Sequence, residues 1–168
     1  QPASVCLHEP ITFADSSYSY LTSDKSKIPI TSWKWRFGDG TGSTLQNPTH
    51  LYKKEGTFKV TLLVTNVNGC IDSITKTVNV NPAPQANFSL KSACVNNMQT
   101  LQDLSTSTNG IVDTWNWTFG DDGSTSTVQH PSHLFKTIGT FSIKLKVTTD
   151  KGCSHDTTLS LTILPSPI

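Results

Sequence analysis

The feature that most constrains this chain is an internal duplication. Residues 33–40 read Trp-Lys-Trp-Arg-Phe-Gly-Asp-Gly, and residues 115–123 read Trp-Asn-Trp-Thr-Phe-Gly-Asp-Asp-Gly. After the extra Asp, the offset between the copies holds at 83 residues as far as the pair Cys70 and Cys153, while upstream an offset of 88 aligns Cys6 with Cys94. Repetition at a fixed period indicates two copies of one structural unit of about 80 residues.

The boundary between the copies is predicted at a short proline-rich joint. Residues 81–84 read Asn-Pro-Ala-Pro, a composition typical of a stiff linker. We therefore expect a first domain over residues 1–81 and a second over 82–168.

Each copy reads as a series of short strands. Phe58, Val60, Leu62 and Val64 alternate with other residues at period two, and the turn pair Asn68-Gly69 follows them. The second copy repeats this alternation from Phe141 to Val147, and no segment shows a helical period. Strands separated by regular turn signals predict an all-β chain made of β-sandwiches.

Composition excludes several classes of function. Charged residues make up 15% of the chain and the formal net charge is +1, so nothing points to nucleic acid or to an anionic membrane. The sequence has no run of 18 apolar residues, so no segment is expected to span a bilayer as a helix. The chain lacks an initiator Met and a signal peptide, which favours a mature product or an excised segment. Low charge with abundant Thr and Ser is typical of a secreted protein.

These residues resemble the PKD domain, a family of Ig-like β-sandwiches. Both copies largely follow the family pattern Trp-Asp-Phe-Gly-Asp-Gly, Asn-Pro-x-His-x-Tyr and Gly-x-Tyr-x-Val-x-Leu-x-Val, with departures that include Arg36 and Thr118 at the first Asp and Phe135 at the Tyr. The resemblance implies two Ig-like, PKD-type sandwiches in tandem. The Gly-Cys pair after the penultimate strand further resembles PKD repeats of large Bacteroidetes surface proteins. The structural-motif residues that the resemblance assigns are Trp35, Phe37, Gly38, Asp39, Gly40, His50, Tyr52, Trp117, Phe119, Gly120, Asp121, Gly123, His133 and Phe135.

The aromatic run admits two interpretations. Trp33, Trp35 and Phe37 share one face of a strand, with Lys34 and Arg36 on the other. The alternation favours burial in the core over an exposed platform for sugar rings, because the platform would turn the charged residues inward.

The repeated Asp and His residues are expected to be structural. Asp39, Asp121 and Asp122 lie in glycine turns, where Asp more often caps backbone N–H groups than contributes to a calcium site. His50 and His133 have no nucleophile or metal-ligand spacing beside them. We predict no catalytic residue, no metal and no cofactor.

Four cysteines allow three pairings. Because they occupy matching positions, we expect the intradomain disulfides Cys6–Cys70 and Cys94–Cys153; four free thiols are the alternative.

Two surface features remain candidates. The first copy has a longer segment over residues 18–29, in which Tyr18 and Tyr20 form a candidate contact loop. The interpretation that the sequence favours is a loop without a partner. The Bacteroidetes resemblance implies O-glycosylation at Asp-Ser/Thr pairs, here Ser73 and Thr157, although chance matches are common in a chain this rich in Ser and Thr.

The two ends of the chain suggest a longer array. Residues 86–90 read as a first strand of copy two, and the offset of 88 puts the counterpart of Phe88 ahead of residue 1. We therefore expect copy one to lack a full first strand or to borrow one from a neighbouring chain. Residues 164–168 resemble the 81–84 linker.

The resemblance implies a non-catalytic tandem module of a larger secreted or cell-surface protein, acting as a spacer and an interaction or adhesion element. Expected partners are other domains of the same parent and protein or polysaccharide at a cell surface. One alternative is a carbohydrate-binding accessory module of a secreted polymer-degrading enzyme, which exposed aromatics in a row would favour. Another is a subunit of an extracellular fibre or surface assembly, which a large intermolecular contact would favour.

Overall fold

The computed structural model describes residues 3–21, 25–91 and 93–166. The chain forms two compact units, Gln1–Asn81 and Pro82–Ile168, and each is treated separately below. Every regular element in the described ranges is a β-strand.

The strands of the first unit are β1 (Ala3–Cys6), β2 (Pro10–Thr12), β3 (Ser19–Tyr20), β4 (Lys27–Ile28), β5 (Ile30–Arg36), β6 (Gly42–Ser43), β7 (Thr49–Leu51), β8 (Gly56–Asn66) and β9 (Ile71–Asn81). Those of the second unit are β10 (Phe88–Ser89), β11 (Ala93–Cys94), β12 (Met98–Thr100), β13 (Gln102–Asp103), β14 (Val112–Thr118), β15 (Thr125–Ser126), β16 (Ser132–Leu134), β17 (Gly139–Thr149) and β18 (Ser154–Leu164).

Both units are built on a five-stranded sheet of the same topology. The order is β1-β9-β8-β5-β6 in the first unit and β11-β18-β17-β14-β15 in the second. Within each sheet the first pair of neighbours, β1–β9 or β11–β18, is parallel, whereas the other pairs are antiparallel. A pair of short antiparallel strands forms part of the facing layer of each unit, β2–β7 in the first and β12–β16 in the second. These all-β sandwiches confirm the predicted fold class.

The long hairpin of each sheet follows from the period-two pattern. In β8 the side chains of Val60, Leu62 and Val64 point into the core, and the predicted turn at Asn68-Gly69 joins β8 to β9. Gly69 adopts a φ of 80°, a conformation that glycine reaches without steric cost. Each buried Val or Leu contributes roughly 1.5–3 kcal/mol relative to an exposed position.

The aromatic run of β5 faces the core, as its alternation predicts. Trp35 and Phe37 are buried and Trp33 packs half-buried against the same cluster, while Lys34 and Arg36 are exposed. The second unit repeats this arrangement with Trp115, Trp117 and Phe119. The strand therefore offers no platform for sugar rings.

The two units differ in their facing layers. The second unit has the pair β10–β13, and the described part of the first unit contains no counterpart of it. The first unit instead has the β3–β4 pair within its longer segment. Residues 22–24 of that segment lie outside the described residues, as do residues 1, 2, 167 and 168 of the chain ends.

None of the described residues forms a helix of the length and apolar character needed to cross a lipid bilayer.

Candidate functional site

The Gly-Asp-Gly turn after β5 is locked against the neighbouring strand β8. Gly38 has a φ of 87°, and a Cβ atom built there would lie 2.7 Å from the carbonyl oxygen of Lys59. Gly120 occupies the same place in the second unit and meets the backbone of Ser142. Both the backbone conformation and the close approach require glycine, which explains this part of the repeated motif.

Asp39 connects this turn to β7. Its Oδ2 lies 2.8 Å from His50 Nε2, and its Oδ1 accepts hydrogen bonds from the backbone N–H and the hydroxyl of Thr41. Burial acts to raise the pKa of Asp39, but the Thr41 hydrogen bonds and the contact with His50 outweigh it, so that the pKa lies below its ordinary value. The carboxylate therefore holds two segments of the chain together.

Aromatic rings enclose the His50 imidazole. It stacks on Phe37 with ring centroids 4.1 Å apart and meets the ring of Tyr52 edge-on at 4.6 Å. The buried Tyr52 hydroxyl donates a hydrogen bond of 3.0 Å to the Phe37 carbonyl. Burial of the phenol raises the pKa of Tyr52 to about 12, and the Asp39 carboxylate acts in the same direction.

The second unit reproduces the cluster. His133 Nε2 lies 2.8 Å from Asp121 Oδ2, and the ring stacks on Phe119 at 4.1 Å. Phe135 replaces the tyrosine and meets the imidazole edge-on. The cluster of Phe, Asp, His and Tyr or Phe is therefore a packing unit that works with or without the phenol.

One group of potential metal ligands occurs in the second unit. Asp121, Asp122 and His133 place one donor atom each within 4.8 Å of one another. Asp122 comes from the one-residue insertion and has no counterpart in the first copy. Calcium requires six to eight oxygen ligands, whereas this group supplies three donors, and His133 already engages Asp121. The group does not form an oxygen cage, and no metal site is assigned to it.

A second repeated polar cluster was not predicted from the sequence. Oδ2 of Asp103 accepts hydrogen bonds from Trp115 Nε1 at 2.7 Å and from Gln129 Nε2 at 3.2 Å, while Oδ1 accepts the Ser105 N–H. In the first unit Asp15 makes the same three contacts. The sequence did contain a signal, because the Asp, Ser, Trp and Gln of this cluster all occur at matching positions of the two copies. The alignment alone does not show that the other three residues bind the Asp.

The pKa of these carboxyls reflects their hydrogen-bond donors. Burial acts to raise the pKa of Asp103, but the hydrogen bonds from Ser105, Trp115 and Gln129 outweigh it and hold the pKa below its ordinary value. The pKa of Asp15 is lowered against burial by its equivalent donors. Each carboxylate therefore ties the half-buried Trp of the sheet to the facing layer.

The predicted disulfide pairing is wrong. Cys70 and Cys94, one partner from each predicted bridge, are free thiols, and Cys6 and Cys153 are each in the disulfide form. Within the first unit, Cys6 lies opposite Asn81 at the end of β9, and Cys70 directly precedes the start of that strand. Eleven residues of extended chain separate the two positions by about 33 Å, against a Cα–Cα limit of about 7 Å for a disulfide.

The second unit has the same geometry. Cys94 lies opposite Leu164 at the end of β18, and Cys153 directly precedes its start. The matching positions of the cysteines show that equivalent cysteines occupy equivalent places in the two copies. They do not show that the two cysteines of one copy lie close together. The parallel pairing of the first strand, invisible in the sequence pattern, puts the two cysteines at opposite ends of each sheet.

The predicted contact loop is exposed at its tyrosines. Tyr18 is 74% exposed and Tyr20 46%, and their ring centroids lie 5.2 Å apart with the planes tilted by 55°. Ser73 is exposed on β9 and Thr157 is half-buried on β18. O-glycosylation at these two residues stays a prediction.

Comparison with known proteins identifies relatives for both units. The model of the PKD domain family matches residues 2–82 and again residues 81–163. The pre-pro-metalloprotease PrtV of Vibrio cholerae is 34% identical over 150 residues, which cover 87% of this chain and 16% of that protein. Collagenase ColA of Bacillus cereus is 35% identical over 100 residues, covering 60% of this chain and 10% of the collagenase.

Among solved structures, the PKD1 domain of Vibrio cholerae PrtV is 32% identical, with a TM-score of 0.46, and covers 49% of this chain and 98% of its own. The chain thus spans less than a fifth of the two larger relatives. Because these relatives come from Vibrio and Bacillus, they give no support to the narrower resemblance to Bacteroidetes repeats.

Proposed function

The chain belongs to the PKD domain family, and from that premise we propose that it is a non-catalytic tandem module of a larger secreted or cell-surface protein, serving as spacer and interaction element. Its matched relatives are a metalloprotease and a collagenase in which the similar region is a small share of the whole. The partners of such a module are first the other domains of its own polypeptide, and then protein or polysaccharide at a cell surface.

The observation that carries this proposal is the duplication of a closed His–Asp cluster. The side chains of His50 and His133 are only 14% and 12% exposed, and each has its Nε2 at an Asp and one ring face on a Phe. General acid–base catalysis needs an imidazole nitrogen within reach of a substrate proton. Two matching, largely enclosed clusters fit a structural requirement of each sandwich better than two catalytic centres.

Replacing His50 or His133 with Ala tests this proposal. We expect each variant to lose about 1–3 kcal/mol of unfolding free energy, because the ring contacts and the Asp partner are lost together. Neither the parent chain nor the variants should hydrolyse casein, collagen or soluble polysaccharides. Reproducible hydrolysis that disappears in either variant would replace the spacer proposal with an enzymatic one.

The exposed tyrosine pair is the feature that favours the interaction part of the proposal. Tyrosines give large contact areas at low conformational cost, and the second unit has no equivalent pair. Co-sedimentation of the parent chain and of its tyrosine variant with cellulose, chitin and collagen fibrils measures binding. A double replacement of Tyr18 and Tyr20 with Ser should abolish any retention without lowering the melting temperature. Leu45→Ser, at a residue whose exposure lies between those of the two tyrosines, serves as the control. Retention on cellulose or chitin alone would favour the carbohydrate-binding alternative.

A further inference from the structure

The first unit presents three cationic side chains on the outer face of its five-stranded sheet. Because side chains alternate between the two faces of a strand, Lys34 and Arg36 of β5 point away from the core that takes Trp35. Lys59 of β8 alternates in the same way with the buried Val60. All three cationic side chains are exposed to solvent, and together they are called the cationic face below.

The strand register places these side chains next to one another. Arg36 is paired with Thr61 of β8, and Lys59 lies two residues from Thr61 on the same face of the sheet. Arg36 and Lys59 are therefore diagonal neighbours, about 7–8 Å apart, and Lys34 lies about 7 Å from Arg36 along β5. A linear ligand that follows the order Lys34, Arg36, Lys59 contacts all three charges at once.

In the described ranges, no carboxylate forms an ion pair with any member of the cationic face. Asp39, in the turn that follows β5, engages His50 instead. Asp72 of β9 is paired with the buried Val64 and so lies on the core side of the sheet. Like charges at this spacing repel one another, and an anion bound between them relieves that repulsion.

The second unit shows that the fold does not require these charges. It has neutral side chains at all three matching positions, namely Asn116, Thr118 and Ser142. The same face of the second unit carries Lys144 and Lys146, but Asp156 lies opposite Lys146 and its Oδ2 is 3.0 Å from Lys144 Nζ. An unbalanced cluster of cations is therefore specific to the first unit.

The chemistry of the cationic face favours a linear anionic polysaccharide. The guanidinium of Arg36 binds a carboxylate or sulfate group through two parallel hydrogen bonds, and the lysines add point charges. Thr61 lies opposite Arg36 and Thr77 opposite Lys59, so that hydroxyl groups able to bind sugar hydroxyls flank the cations. The described strands place no aromatic ring on this face, whereas single-stranded nucleic acid is held by base stacking on such rings.

We propose that the cationic face of the first unit is a binding site for a linear polysaccharide that carries carboxylate or sulfate groups. Arg36 binds one anionic group at the centre, and Lys34 and Lys59 contact the groups on either side. The site works by charge and hydrogen bonding rather than by ring stacking, and it does not use Tyr18 or Tyr20. It goes beyond the proposed spacer function and does not depend on it.

Biolayer interferometry of the full chain on alginate, on dextran sulfate and on neutral dextran tests the proposal. We expect binding to the two anionic polymers only, and we expect it to weaken as NaCl rises from about 20 to about 300 mM, because salt screens exposed charges and competes for a linear polyanion. The triple variant Lys34→Asn/Arg36→Thr/Lys59→Ser introduces the residues of the second unit. It should lose roughly tenfold or more in affinity for both polymers, while its melting temperature stays within about 4 °C of the parent.

The matched control removes the same amount of charge from other exposed positions of the first unit. The variant Lys27→Ser/Lys53→Ser/Lys54→Ser should lose less than about threefold in affinity, since long-range attraction is largely screened. Equal losses in the two triple variants would overturn the proposal, because net charge rather than the arrangement of the cations would then explain binding.

Two further results would overturn the proposal. Binding to alginate and dextran sulfate that is no stronger than binding to neutral dextran would remove the site, and would leave the spacer proposal to its own histidine variants. Tighter binding to single-stranded poly(dT) or to phosphatidylserine vesicles than to either polymer, lost in Lys34→Asn/Arg36→Thr/Lys59→Ser, would show that the assigned class of partner is wrong.

Discussion

At the residue scale, the two glycines of the Gly-Asp-Gly turn meet different demands. Gly38 and Gly40 have φ values of 87° and 92°, but only a Cβ at Gly38 would collide with another strand. An L-residue at positive φ costs about 1–2 kcal/mol wherever it occurs. A collision with backbone adds strain that no side-chain rotation relieves.

We therefore predict that Gly38→Ala destabilises the first unit by about 1–3 kcal/mol more than Gly40→Ala. Urea denaturation followed by tryptophan fluorescence measures the difference. Equal losses in the two variants would mean that the contact with Lys59 relaxes freely and that backbone conformation alone explains the motif.

Asp103 is the second residue whose chemistry can be isolated. In Asp103→Asn an amide N–H₂ replaces one acceptor oxygen and faces the donors Trp115 and Gln129 or the Ser105 N–H. We expect a loss of about 1.5–3 kcal/mol in the unfolding free energy at pH 7, the range for hydrogen bonds to charged groups. Asp113→Asn, an exposed change on the neighbouring strand β14, should stay within about 0.5 kcal/mol.

The same variant has a defined pH signature. Because the pKa of Asp103 is lowered in the folded protein, the carboxylate stabilises the fold fully above the ordinary pKa of an Asp, and this contribution is lost as the pH falls through the lowered folded value. The stability difference between the parent and Asp103→Asn should therefore shrink between pH 5 and pH 2. A difference that stays constant over this interval would show that ionisation of Asp103 is not linked to folding.

At the element scale, strand length decides the chemistry of the cysteines. The eleven residues of β9 hold Cys6 and Cys70 apart, and those of β18 do the same for Cys94 and Cys153. We predict that iodoacetamide modifies Cys70 and, more slowly, the half-buried Cys94 in the unreduced protein, and that Cys6 and Cys153 react only after reduction. Tryptic mapping by mass spectrometry identifies the sites; a Cys6–Cys70 cross-linked peptide in the unreduced digest would contradict the strand pairing.

The elements also show how far sequence reasoning reached. The long hairpins and the buried face of β5 followed from period-two alternation, because each strand has one face on the core. The parallel pairing of β1 with β9 did not, since four residues over positions 3–6 carry no signal for their partner. The Asp–Trp contact was equally hidden, because it joins residues that are 18 or 12 positions apart through side chains alone.

At the scale of the whole molecule, duplication supplies an internal control. The units share sheet order, His–Asp cluster and Asp–Trp contact, so a difference between them points to something specific to one unit. The tyrosine pair and the cationic face of the first unit are such differences. The features common to both units identify the family, whereas a specific binding partner should be sought at the features that only one unit has.

The parallel pairing of β1 with β9 has a mechanical consequence for the proposed spacer role. Tension applied at the N-terminal end of β1 and the C-terminal end of β9 pulls the two strands in opposite directions along their length. It therefore loads all four paired positions, from Ala3–Val78 to Cys6–Asn81, at the same time. An antiparallel pair pulled from one end would instead open rung by rung, at lower force. The topology therefore joins the two ends of the first unit by a single shear joint, which yields to stretching only when all its hydrogen bonds fail together.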